Sequence, residues 1–222
     1  MTDAKVSASI KAALDAFTRY DSFNAAALID EFEQVFGSDE DFMTKVDQLD
    51  HVFDENPQLE ELREVFFDLL MINFFSEDVK KLEEDYLDTP EWEDIEEQTL
   101  DRGTELLNLL LYLNECEDEE IEPELDDYLK EFLLVDEDEF QDEYRIYEPI
   151  IANQILMESP IAEIKRVAES LPDDSEVAEL FYPMMCFFQN TEPTTSDEEQ
   201  VASNAINKPF DMAVFSILEK FK

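Results

Sequence analysis

Two glycines, Gly37 and Gly103, occur in 222 residues, and this scarcity restricts the possible folds more than any other feature. Tight hairpin turns, phosphate-cradling loops and dinucleotide-binding turns need positive φ or a close backbone approach, which glycine supplies. A chain this poor in glycine is left mainly with helices. The 18 phenylalanines and an apolar content of 44% then supply far more core than an acidic disordered chain carries.

The apolar spacing is helical almost throughout. Val6, Ile10, Leu14 and Phe17 form one stripe, and Leu28, Phe32 and Val35 a second. Phe42, Val46, Leu49 and Phe53 follow Ser38, which reads as an N-cap. Leu59, Leu62, Phe66, Leu69 and Asn73 continue the pattern, within an apolar run broken by Asp68 and Asn73. Trp92 and Ile95 open a helix expected to run on into Leu106–Leu113, a segment apolar on most sides and hence a buried central helix. Later stripes begin at Ile121, Phe140, Ile161, Val177 and Phe210. No stretch alternates with period two for long enough to predict a strand.

Prolines mark the expected helix starts at Asn56-Pro57, Thr89-Pro90, Glu122-Pro123 and Ser159-Pro160. Pro149 and Pro183 fall inside stripes and should kink or break those helices. Successive starts lie about one helical hairpin apart, as in an α-solenoid, yet the marker residues of known repeats do not recur at fixed offsets. The expected fold is therefore all-α, an irregular bundle or short solenoid of about ten helices without a sheet. Residues 1–222 should form one domain, with a flexible polar loop over 190–204 before a last helix.

Charge narrows the function. The chain carries 60 Asp and Glu against 15 Lys and Arg, a net charge of −45. Residues 76–148 hold 30 of those acids and only 5 of the bases, a net −25. Scaling of surface with mass gives roughly 10,500 Å², or about 230 Å² per net charge and about 140 Å² in the middle third. Duplex DNA offers roughly 107 Å² per phosphate, so the middle third approaches it. Solubility alone needs a net charge of only about 2–8, and adaptation to high salt would not concentrate acids in one third of a chain rich in Phe.

The acids therefore point to a positively charged protein partner. The densest runs supply the candidate contact residues: Glu117, Asp118, Glu119, Glu120, Glu122, Glu124, Asp126 and Asp127, then Asp136, Glu137, Asp138, Glu139, Asp142 and Glu143. Tyr128, Phe132, Phe140 and Tyr144 thread these runs at helical spacing, which predicts charge mounted on ordered structure. The expected function is a non-enzymatic acidic protein that binds and inhibits a basic partner. That partner is a DNA-binding protein whose site it occupies as DNA would, or a basic nuclease. The alternative is a helical interaction module with an apolar groove, its charge serving solubility.

Other chemistries find little footing. At this acid content, pairs spaced three apart arise by chance and mark no site. His51 is the one histidine, so paired Glu-x-x-His metal motifs are excluded, and neither glycine sits at the centre of a calcium loop. No cofactor is expected. Direct nucleic-acid binding has the wrong charge sign, and anionic membranes would repel the chain. The first residues lack the basic-then-apolar pattern of a signal peptide, and Cys116 and Cys186 read as buried reduced thiols. The expected location is cytoplasmic.

Overall fold

The computed structural model describes residues 2–21, 26–77, 89–132, 134–136, 139–140, 145–172 and 174–222. Asp3 starts the first helix, α1 (Ala4–Tyr20), by accepting the free backbone N–H groups of Lys5 and Val6 at 2.8 and 3.2 Å. Its own N–H donates to Asn73 Oδ1 at 2.8 Å, tying that end to the fourth helix. The helices α2 (Ala26–Gly37), α3 (Phe42–Glu55) and α4 (Arg63–Glu77) follow. Their facing sides meet through Phe32, Phe53 and Phe66, whose ring centroids lie 4.6–5.6 Å apart in tilted and edge-on pairs.

Next come α5 (Pro90–Thr99), α6 (Leu106–Asp118), the short α7 (Leu125–Asp127) and α8 (Glu148–Ala152). The chain closes with α9 (Ile161–Ala168), α10 (Ala178–Gln189), α11 (Thr195–Asn204) and α12 (Lys208–Phe221). The fold is all-helical. The one extended pairing among the described residues is a two-rung antiparallel ladder, Leu134 opposite Phe140 and Asp136 opposite Glu139. It is a local departure from the expected absence of strands and too short to form a layer.

Helix packing separates a bundle from a solenoid. In a solenoid each repeat touches only its neighbours. Here α1 and α12 pack against each other more extensively than any other pair, and α12 also meets α6, α10 and α11. The buried side chains form one continuous cluster reaching from Val6 to Phe221. The regular proline spacing therefore reflects helices of similar length, not stacked repeats.

Several local expectations are corrected. The helix expected to run from Trp92 into Leu106–Leu113 is two helices, separated at Leu100–Glu105. Gly103 makes that corner at φ 82°, and a Cβ there would stand 2.6 Å from Asp68 Oδ1. Asp68 is fully buried and accepts the N–H of Thr104 at 3.0 Å and its hydroxyl at 2.5 Å. An acid in an apolar run thus fixes a corner distant in sequence. Asp41, not Ser38, caps α3 by accepting from Thr44 N. Pro57 opens a 3-10 turn ahead of α4, and Pro160 itself stands at the cap position of α9. Pro183 lies inside α10, which continues through it.

The stretch 190–204, expected as a loop, is α11 from Thr195 onward. Thr194 Oγ1 lies 2.8 Å from Asp197 Oδ2, and Asp197 accepts the Thr194 N–H at 2.9 Å in a capping box. Polar composition suggested a loop, but Val201 and Ala202 give this helix just enough buried surface to dock on α9 and α12.

Candidate acidic binding surface

The acidic segment grows out of α6, whose buried residues Leu106, Leu109, Leu110, Tyr112, Leu113 and Cys116 face the core. The helix ends in a pair of hydrogen bonds. Glu120 N donates to Glu117 O at 3.1 Å and Ile121 N to Cys116 O at 2.9 Å, the pattern of a Schellman C-cap. That motif places one residue in the left-handed region, normally glycine. Here it is Glu120, with φ 57°.

An L side chain at that dihedral costs on the order of 1 kcal/mol. Replacing Glu120 by glycine should therefore raise the unfolding free energy by about 1 kcal/mol. Urea titration would show this as a higher midpoint at unchanged slope; an unchanged or lower midpoint would mean that Glu120 is unstrained. The segment thus carries a carboxylate where stability alone favours glycine.

Beyond the cap, Tyr112 holds the chain. Its hydroxyl donates to Glu124 O at 3.1 Å and accepts the Glu124 N–H at 3.0 Å. Burial pushes this phenol up from its ordinary value, so it stays a donor. The ring packs 5.2 Å from Tyr128 and 6.4 Å from Phe188, and Tyr128 stacks on Phe188 at 5.7 Å. Glu124 then leads into α7 and a single π-helical turn, Tyr128–Phe132. Two lysines from the terminal helices fasten the outer edge. Lys5 Nζ reaches Glu117 Oε2 at 2.6 Å, and Lys222 Nζ reaches Glu122 Oε2 at 2.7 Å.

The frame sets what each candidate residue presents. Glu117, Asp118, Glu119, Glu120, Glu122, Glu124 and Asp126 are exposed, and Asp127 is half-buried. Glu117, Glu122 and Asp126 are ion-paired within the protein, the last with Lys130. Asp118, Glu119, Glu120, Glu124 and Asp127 make no ion pair among the described residues. The side chains of Asp136, Glu137, Asp138, Glu139, Asp142 and Glu143 lie outside the described residues.

The candidate set missed a second acidic element, although spacing pointed to it. Helix α5 exposes Glu91, Glu93, Asp94, Glu96 and Glu97 and buries only Ile95 and Thr99. It is capped by Thr89, whose Oγ1 accepts from Trp92 N at 3.3 Å. Trp92 itself leans on Phe75 at 5.5 Å and packs against the core.

Other acids gather around two half-buried arginines. Arg102 donates to both oxygens of Asp50 at 3.0 Å and both of Glu64 at 3.1 Å. Arg63 reaches Asp50, Asp54 and Glu60 at 2.8–3.0 Å. These two arginines thus fasten the scaffold, and with 15 bases against 60 acids most of the exposed acids are left without a cation. The whole surface measures 11861 Å², about 260 Å² per net charge, somewhat more dilute than mass scaling suggests.

Reactive groups are sparse at this surface. Cys116 and Cys186 are free and buried, and burial raises both thiols, Cys186 to about 12. His51 is exposed and lies 3.6 Å from Glu55. Among the described residues no group of three or more His, Cys, Asp or Glu is arranged to hold a metal ion, and no helix is long and apolar enough to cross a membrane. No family model, no curated protein and no solved structure matches this chain.

Proposed function

We propose that this is a non-enzymatic acidic binding protein that engages a positively charged protein and inhibits it by occupying its anion-binding surface. The partner class is a DNA-binding protein or a basic nuclease. One observation carries the reading: the carboxylates of Glu117–Asp127 stand outward on a segment fastened by a helix cap, a buried tyrosine and two lysines. Charges on a fixed segment lose less conformational entropy on binding than those of a flexible acidic tail, and they match a rigid cationic surface in register. The exposed acids of α5 add to the negative field of the whole protein.

The test compares the protein with a triple variant, Asp118→Lys, Glu119→Lys and Glu120→Lys, immobilised at low salt in lysate of its own organism. Basic nucleic-acid-binding proteins should be retained by the protein, released together along a salt gradient, displaced by duplex DNA and lost with the variant. Retention that is flat with salt, or equal for the variant, would overturn the reading.

A further inference from the structure

Between the acidic segment and the turn after α10 lies an open groove of about 700 Å³. Pro123, Leu125 and Phe188, all buried, and half-buried Met157 supply its apolar floor, beside the polar Gln189, Asn190 and Thr191. Its rim carries the carboxylates of Glu122, Glu124, Asp126 and Glu192. A bare acidic cluster attracts any cation, but a groove that joins an apolar floor to an acidic rim selects a long side chain with an aliphatic stem and a charged end.

The protein already satisfies part of that rim with such a group of its own. Lys222 Nζ lies 2.7 Å from Glu122 and 3.7 Å from Glu192, and donates to the Thr191 carbonyl at 3.4 Å. Three of its partners are residues that line the groove, so the rim is shaped to take an ammonium group. A second copy of a chain with net charge −45 is a poor occupant, since like charges repel.

We infer that this groove seats a lysine or arginine side chain of a basic polypeptide together with the apolar residue beside it. The stem lies on Leu125 and Met157, and the cation competes with Lys222 for Glu122 and Glu192. The inference rests on the acidic-binding reading and adds to it an anchor point with an apolar share.

Two peptides of equal length and equal lysine content test it, one interspersed with leucine and the other with serine, titrated at fixed salt. The leucine peptide should bind about tenfold tighter, a difference of about 1.4 kcal/mol. Met157→Lys, which puts a cation on the floor, should abolish that preference. Lys222→Gln, which removes the internal competitor, should tighten both peptides by about threefold, or roughly 0.6 kcal/mol. Equal affinity for the two peptides, or a preference untouched by Met157→Lys, would overturn the groove. So would an affinity unmoved by Lys222→Gln, a change that removes one tether but leaves the segment held by its helix cap, Tyr112 and Lys5. If both peptides bind equally and lose affinity with the Asp118, Glu119 and Glu120 reversals, only the groove fails. If neither binds at low salt, the acidic-binding reading fails with it.

Discussion

Replacing Arg102 by methionine should lower the free energy of unfolding by about 2 kcal/mol, because this half-buried ion pair stands between exposed pairs, worth up to about 1 kcal/mol, and buried ones, whose broken partner costs about 3–5 kcal/mol. The guanidinium serves Asp50 and Glu64 at once and lies 4.8 Å from the Phe67 ring. Methionine keeps much of the stem but leaves Glu64 beside buried Asp68 without this cation, and Asp50 with Arg63 as its one remaining cation among the described residues. Arg102→Lys should recover only a small part, because a single ammonium cannot reproduce both the two-donor contact with Asp50 and the Nε contact with Glu64. Urea unfolding would read the loss as a lower midpoint at constant slope. A loss below about 1 kcal/mol, the range of exposed ion pairs, would mean that the corner is solvated and not a keystone.

Salt and mild acid should both stabilise the protein. A net charge of −45 repels itself, and raising salt to about 1 M shrinks the screening length from about 10 Å to about 3 Å. The pH dependence follows from individual groups. Burial raises Asp211 to about 6 and Glu219 to about 7, the latter helped by Glu198, and also raises Asp68 and Glu179. These carboxyls bind protons more readily folded than unfolded. The folded state therefore gains stability as pH falls from about 8 toward the ordinary carboxylate range near about 4. Below that range the gain stops. Asp41 and Asp197, held low mainly by the backbone N–H groups of Thr44 and Thr194, then begin to lose their caps. Thermal melts should show a midpoint higher by on the order of 10 °C at pH 5 than at pH 8, with a similar rise in high salt. A midpoint that is flat, or that falls on acidification from 8 to 5, would mean that neither repulsion nor buried carboxyls limit stability.

The helical stripes were legible because burial on one face of a helix leaves a three-to-four-residue period in the apolar residues. Val6, Ile10, Leu14 and Phe17 are all buried along α1, and the Leu106–Leu113 segment is the core-facing helix its composition implied. The outward acids at Glu117–Glu120 were legible too, since a run of charges cannot be buried. Other features left no local signal. Glu64 and Asp68 hold the Gly103–Thr104 corner from far away in sequence, and that corner divides one expected helix into two. The helix Thr195–Asn204 looks like a loop because it buries only Val201 and Ala202, and docking supplies the rest.

The sequence by itself determined the all-helical class and the excess of outward negative charge, because both follow from local periodicity and composition. Only the tertiary structure decided that the first and last helices close the bundle, that Arg63 and Arg102 are enclosed among carboxylates of the scaffold, and that a tyrosine and two lysines hold the acidic segment in place. The reason is physical: propensity and patterning act between near neighbours in the chain. Pairing of charges such as Lys5 with Glu117 and Lys222 with Glu122 depends on which distant helices pack together.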